Sequence, residues 1–150
     1  HMAILRTLSK IGFASLRVGY LLGDEGLIGE VNKVRLPFNL NALSQAVARE
    51  ALREKKMIDA CIKKVSSERD RLFGELAALK GVTPSPSEAN FILFRIKGAD
   101  EIHKKLIKQG VLVRNLSSVI KDSLRVTIGT PEENSIFIET LKKLLGQEEK

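Results

Sequence analysis

Apolar positions along this chain recur at two periods, and the alternation lays out its elements. Residues 3–7 and 18–22 are short runs, apolar on both faces. That pattern predicts strands of the kind buried in the middle of a parallel sheet, with a turn over 9–15 between them; alone they would leave unpaired edges and exposed apolar faces, which predicts dimerisation, strand exchange or aggregation. Over 24–36 the period lengthens: Leu27, Ile28, Val31 and Val34 share a helical face, Asp24 can cap it, and Pro37 forces an extended exit. The longest helical stretch covers 43–79, with a break expected near 54–56. In its second half Ile58, Ile62, Val65, Arg69, Leu72, Leu76 and Leu79 fall at alternating steps of four and three, forming one seam. Arg69 is the charged member of that seam and requires a carboxylate partner. Gly81 ends the helix.

Pro84 and Pro86 mark a linker. Beyond it the pattern predicts a strand over 90–96, a helix over 99–109, strands over 111–116 and 124–129, and a helix over 131–145. This βαββα order implies a small, mostly antiparallel sheet with helices on one face, an α+β layer. The last helix has a complete start signal, with Thr130 at the cap, Pro131 in the first turn and Glu133 three positions on. Gly146 stops it, and the tail beyond is expected to fray.

Composition narrows the class. The chain has 150 residues, 43% hydrophobic and 29% charged, enough for a globular core and too apolar for disorder. Every apolar run is too short to span a membrane. Cys61 is the single cysteine, so there is no disulfide framework, and a reducing cytoplasm is the simplest home. His103 has no ligand grouping around it, so no metal site is expected. The net charge of +7 invites an acidic partner, and a basic βαββα interaction module is the reading of another class. The lysines, however, are spread in pairs such as Lys63 and Lys64 or Lys104 and Lys105, without an arginine-rich arm or aromatics interleaved for base stacking. We therefore expect neither a nucleic-acid nor a membrane partner.

The chemistry concentrates in Thr7-Leu8-Ser9-Lys10-Ile11-Gly12-Phe13-Ala14-Ser15-Leu16-Arg17-Val18-Gly19-Tyr20. A lysine amine can condense with a carbonyl cofactor. Ser9 and Arg17 are placed to hold a phosphate beside it, the arginine through its planar fork of donors. A second pair, Arg114 and Arg125, falls on neighbouring predicted strands joined by the loop at 117–123. On an antiparallel pair both side chains can face one pocket, and two guanidinium forks suit a phosphate monoester or a carboxylate equally.

These segments resemble the fold-type I, pyridoxal-phosphate-dependent class I/II aminotransferases, and within them the histidinol-phosphate aminotransferases. The lysine segment is similar to that family's cofactor-lysine segment. Further matches follow in the family's order: Arg35-Leu36-Pro37-Phe38-Asn39-Leu40-Asn41, Glu68-Arg69-Asp70-Arg71-Leu72, Ala89-Asn90-Phe91-Ile92-Leu93, Gly110-Val111-Leu112-Val113-Arg114, and the stretch from Leu124 to Asn134 containing Gly129-Thr130-Pro131-Glu132-Glu133-Asn134. One residue fewer separates Lys10 from Arg17 than in many members.

The resemblance implies a catalytic Lys10 that also moves the α-proton, and a pyridoxal 5'-phosphate site formed by Ser9, Lys10 and Arg17. Arg114 and Arg125 would bind substrates such as histidinol phosphate and glutamate or 2-oxoglutarate. It further implies a homodimer, with Asn39 or Asn41 near a neighbouring subunit's site. Residues 1–2 then read as a vector remnant and 3–42 as a remnant of the large, α/β cofactor-binding domain. Residues 43–80 would be interdomain helices and 81–150 the C-terminal small domain. The acid that pairs the cofactor's ring nitrogen and the aromatic stacked on the ring are drawn from the preceding large domain in that family. Transamination by these 150 residues alone is accordingly not expected. A threonine-phosphate decarboxylase-like enzyme or another class I/II aminotransferase is the alternative.

Overall fold

In a computed structural model, residues 2–147 are described; His1 of the expected vector remnant and residues 148–150 of the expected frayed tail lie outside them. Two compact units form, His1–Ile62 and Lys63–Lys150.

In the first unit, β1 (Ala3–Thr7) and β2 (Gly19–Gly23) pair with each other as an antiparallel ribbon, Ala3 opposite Gly23 and Thr7 opposite Gly19. The expected parallel surroundings and unpaired edges are corrected here, because the two strands pair with each other. Every residue of β1 is exposed, as are Tyr20 and Leu22 of β2. The connection is the reason: parallel neighbours need a crossover of a dozen residues or more, usually a helix. Here two short 3-10 turns, Leu8–Ile11 and Ala14–Leu16, fold the chain straight back, and the Leu8 amide closes the loop by donating to the Val18 carbonyl at 3.1 Å. Gly19 is required by close approach, since a Cβ there would lie 2.8 Å from the Arg6 carbonyl oxygen.

Helix α1 (Glu25–Val34) starts where expected, with the Asp24 carboxylate accepting from the Gly26 amide at 3.0 Å. Helix α2 (Ala42–Arg53) is capped by Asn41, whose side-chain oxygen accepts from the Ser44 amide at 2.8 Å. The chain then breaks at Glu54 (φ −81, ψ 51), where the anticipated interruption falls, before α3 (Lys55–Ala78).

The second unit is built on a four-stranded antiparallel sheet in the order β3 (Val82–Pro84), β4 (Phe91–Ile96), β6 (Ser123–Thr127), β5 (Arg114–Asn115). The segment expected as a linker at Pro84 is thus an edge strand, pairing Val82 with Ile96 and Pro84 with Phe94. An edge is where a proline is tolerated, because it has no amide to donate. One sheet face is the core: Ile92, Phe94, Ile96, Leu124 and Val126 are all buried. They pack with Leu72, Leu76 and Leu79 of α3, with Ala99 and Leu106 of α4 (Ala99–Lys108), and with Phe137, Ile138 and Leu141 of α5 (Pro131–Leu145). Phe94 and Phe137 meet ring to ring at 6.0 Å with a 55° tilt. The alternation along β4 and β6 leaves Phe91, Leu93, Arg95, Arg125 and Thr127 on the opposite, more accessible face.

Strand β5 is shorter than the expected 111–116. The Val111 amide is spent on the Leu106 carbonyl at 2.9 Å, finishing α4, so ladder pairing begins only at Arg114. Helix α5 matches its expected span, and both halves of the capping box form: Thr130 Oγ1 accepts from the Glu133 amide at 3.2 Å and Glu133 Oε2 accepts from the Thr130 amide at 2.8 Å. Gly146 ends it in the left-handed region. Arg69 has its expected carboxylates, Asp70 at 3.0 Å and Glu88 at 3.7 Å. No helix among the described residues is long and apolar enough to cross a membrane.

Candidate functional site

The chemistry-bearing residues fall into a turn in the first unit and an arginine pair in the second. In the turn, Ser9 and Lys10 occupy the 3-10 segment Leu8–Ile11. Thr7 caps it: its hydroxyl accepts from the Ser9 amide at 3.2 Å and shares a hydrogen bond with the Ser9 hydroxyl at 2.9 Å. Leu8 is buried beneath, so the apolar residue anchors the segment while Lys10 stays exposed. Gly12 closes the segment at φ 102, a conformation that disfavours any side chain. Arg17 also sits in the left-handed region, at φ 57, ψ 31, with its Nη1 donating weakly to the Ala14 carbonyl at 3.5 Å. A non-glycine residue there stores backbone strain, which clusters at functional sites.

The neighbouring loop uses its amides for folding. Asn41 caps α2, and Asn39 Oδ1 accepts from Arg35 Nη1 at 2.9 Å. Phe38 adopts φ 58 and is 97% exposed.

In the second unit, Arg114 and Arg125 are direct cross-strand partners, so their side chains leave the same face of the sheet. Arg114 is exposed and Arg125 half-buried. Like charges directly opposed destabilise a sheet. Arg125 carries two further features that pattern reading missed. Its guanidinium lies over the Phe91 ring, 4.7 Å from the centroid, and its Nε is buried with no hydrogen-bond partner among the described residues. The available signal was the period-two alternation that puts Phe91 and Arg125 on one face. A buried donor without a partner indicates a place for water or an anion. A separate open cavity of about 460 Å³ is lined by Val111, Val113, Val126, Glu133, Asn134 and Phe137 among others, and neither arginine lines it.

A polar brace joins α3 to the start of α5. Glu68 Oε2 accepts from Arg71 Nη2 at 2.8 Å and from Asn134 Nδ2 at 2.8 Å. Asn134 is buried; its Oδ1 accepts from the Gly129 amide at 2.9 Å, and Arg71 Nη2 also donates to the Pro131 carbonyl at 3.2 Å. The Arg71 hydrogen bond, followed by the one from Asn134, holds the Glu68 carboxyl below the usual carboxylate range against the opposing effect of burial. Arg71 is raised in turn, chiefly by Glu68. Both ends of this brace lie in segments singled out in the sequence, but their connection is tertiary and has no local signature. His103 Nε2 meets the Val113 carbonyl at 3.1 Å, a structural contact.

The family profile "Aminotransferase class I and II" matches residues 1–141. The chain belongs to that family. Among curated relatives, the histidinol-phosphate aminotransferase of Aquifex aeolicus is 46% identical over 144 residues, covering 93% of this chain and 41% of its own length. Among solved structures, L-threonine-O-3-phosphate decarboxylase from Porphyromonas gingivalis superposes with a TM-score of 0.83 at 26% identity, covering 96% of this chain and 46% of that one. The histidinol-phosphate aminotransferase of Clostridium acetobutylicum has a TM-score of 0.86 at 21% identity over 97% of this chain and 46% of that one, a likeness of fold. The chain thus spans about two fifths of the length of the curated relative it matches.

Proposed function

We propose that this chain is the C-terminal portion of a pyridoxal-phosphate-dependent aminotransferase that moves an amino group between histidinol phosphate and 2-oxoglutarate. Family membership supports the reaction class, and the 46% identity to the Aquifex aeolicus relative supports the substrate. The observation that carries the reading is the opposed pair Arg114 and Arg125, two cations in register beside an unpartnered buried donor. Such a pair is tolerated where an anion neutralises it.

The turn's donors fit the cofactor: a primary amine on Lys10, the Ser9 hydroxyl and the Arg17 guanidinium, on a backbone strained at Arg17. When bound, pyridoxal phosphate supplies an electron sink for the substrate's α-carbon. Ser9 and Arg17 bind the cofactor phosphate. Lys10 Nζ holds the cofactor in place and afterwards carries the proton to and from the α-carbon. Arg114 and Arg125 bind the anionic group of each substrate in turn, a tetrahedral phosphate or a planar carboxylate.

On this reading residues 3–42 belong to the cofactor-binding domain, 43–80 to the interdomain helices and 81–150 to the small domain. The working enzyme is a cytoplasmic homodimer, and these 150 residues alone do not turn over. The decarboxylase likeness keeps a second outcome in view, because its substrate is also a phosphate monoester. The test is an assay of the intact gene product with histidinol phosphate and 2-oxoglutarate. Glutamate formation supports the reading. Cofactor binding without amino transfer, or release of carbon dioxide from threonine phosphate instead, overturns the reaction assigned.

A further inference from the structure

Arg125 is poorly provided for by its own strand neighbours. Across β5 it faces another cation, Arg114; across β4 it faces Leu93, which accepts no hydrogen bond through its side chain. Its Nε is buried and unpaired. What holds the side chain lies two residues before Leu93 on β4. Phe91 is paired with Thr127, two residues beyond Arg125 on the same face, within the diagonal reach of a long side chain. The guanidinium carbon lies 4.7 Å from the centre of that ring. Attraction between the cation and the ring face offsets repulsion from Arg114, and it draws the fork along the strand rather than out into solvent.

We propose that Phe91 is the positioning residue of this anion site: its ring fixes where the Arg125 fork stands, and so sets how tightly the strand pair holds a phosphate or carboxylate. The inference rests on the substrate reading above. A long side chain that is already ordered loses less freedom when the anion arrives, which strengthens binding without any contact between ring and ligand. Phe91 does not touch the anion in this account; it acts through Arg125.

The experiment titrates the 150-residue chain with inorganic phosphate, following the arginine side-chain Nε–H resonances by NMR. In the wild-type chain one such resonance, assigned by its loss in Arg125→Lys, moves with phosphate. Phe91→Leu, which keeps an apolar side chain but removes the ring, should weaken the phosphate dissociation constant about fivefold. It should also shift the free Arg125 resonance, because the ring current is lost. Phe91→Tyr should restore both. A ring needed only for packing would change the melting temperature and leave the phosphate titration where it was. If Phe91→Leu stays folded and binds phosphate as the wild type does, the inference is overturned while the anion site stands. If the wild-type chain shows no phosphate response at Arg125, the anion site itself is wrong and the role of Phe91 goes with it.

Discussion

Arg114 and Arg125 stand directly opposite one another on antiparallel strands, two cations in a cross-strand position where opposite charges would be stabilising. The fold bears this repulsion without a carboxylate at either side chain among the ion pairs of the described residues. On the proposed function, an anion bound here would offset that repulsion.

Relieving the repulsion should therefore separate stability from binding. Arg114→Leu is expected to stabilise the second unit by a few tenths of a kcal/mol, up to about 1 kcal/mol. It should weaken phosphate or glutarate binding about tenfold or more, on the scale of a lost charged hydrogen bond. Thermal melting and an anion titration on the same variant check both halves. A variant that melts lower and binds normally would make Arg114 a structural residue.

The Glu68 brace predicts a pH dependence. Its carboxyl is held below the ordinary carboxylate value in the folded chain, so the folded state binds fewer protons than the unfolded one. The stabilisation is complete above the unfolded value of about 4.3 and disappears as pH falls through the folded value below it. Melting temperature should fall as pH drops below the ordinary glutamate range, and Glu68→Gln should flatten that fall. At neutral pH the same substitution should cost about 1–2 kcal/mol, since Arg71 loses the charge it pairs with and one accepting oxygen becomes an amide that donates. An unchanged acid slope in Glu68→Gln would assign the dependence to other carboxylates.

Much of the second unit could be read from the chain. Period 3.6 located α5, and its cap was complete in the letters Thr130, Pro131 and Glu133. The Leu72, Leu76 and Leu79 seam is the buried face of α3. Strand Val82–Pro84 was hidden because prolines read as linker, and only pairing with β4 makes that segment an edge. β5 was overextended because an apolar run says nothing about which amides a helix end has already used. In the first unit, apolar composition suggested burial, whereas the short connection dictates an antiparallel ribbon that the described residues leave exposed. The arginine pair was legible from strand spacing. Its register, the ring beneath Arg125 and the Glu68–Asn134 link required three dimensions.

The lysine turn depends on the ribbon beneath it. Gly19→Ala would drive a methyl group to 2.8 Å from the Arg6 carbonyl oxygen, so the strands must part. We expect a loss of about 1–3 kcal/mol in local stability, the scale of an overpacked site. It should be visible as faster hydrogen exchange at the Leu8 amide, which donates to Val18. Exchange unaltered from wild type would mean the ribbon shifts without strain.

The α5 cap gives a calibration with no bearing on ligands. Thr130→Ala should destabilise the second unit by about 1 kcal/mol, and Thr130→Ser should recover most of it, because the serine hydroxyl can still accept from the Glu133 amide. Denaturant melts of the two variants settle the comparison; equal midpoints would remove the cap's contribution.

Borohydride trapping tests most directly whether Lys10 is the cofactor lysine of a pyridoxal-phosphate enzyme. The chain is incubated with pyridoxal phosphate, reduced, digested, and the adduct located by peptide mass. We expect a single adduct on Lys10, lost in Lys10→Ala and weakened in Arg17→Ala. Adducts scattered over the many surface lysines, with no preference for Lys10, would contradict it.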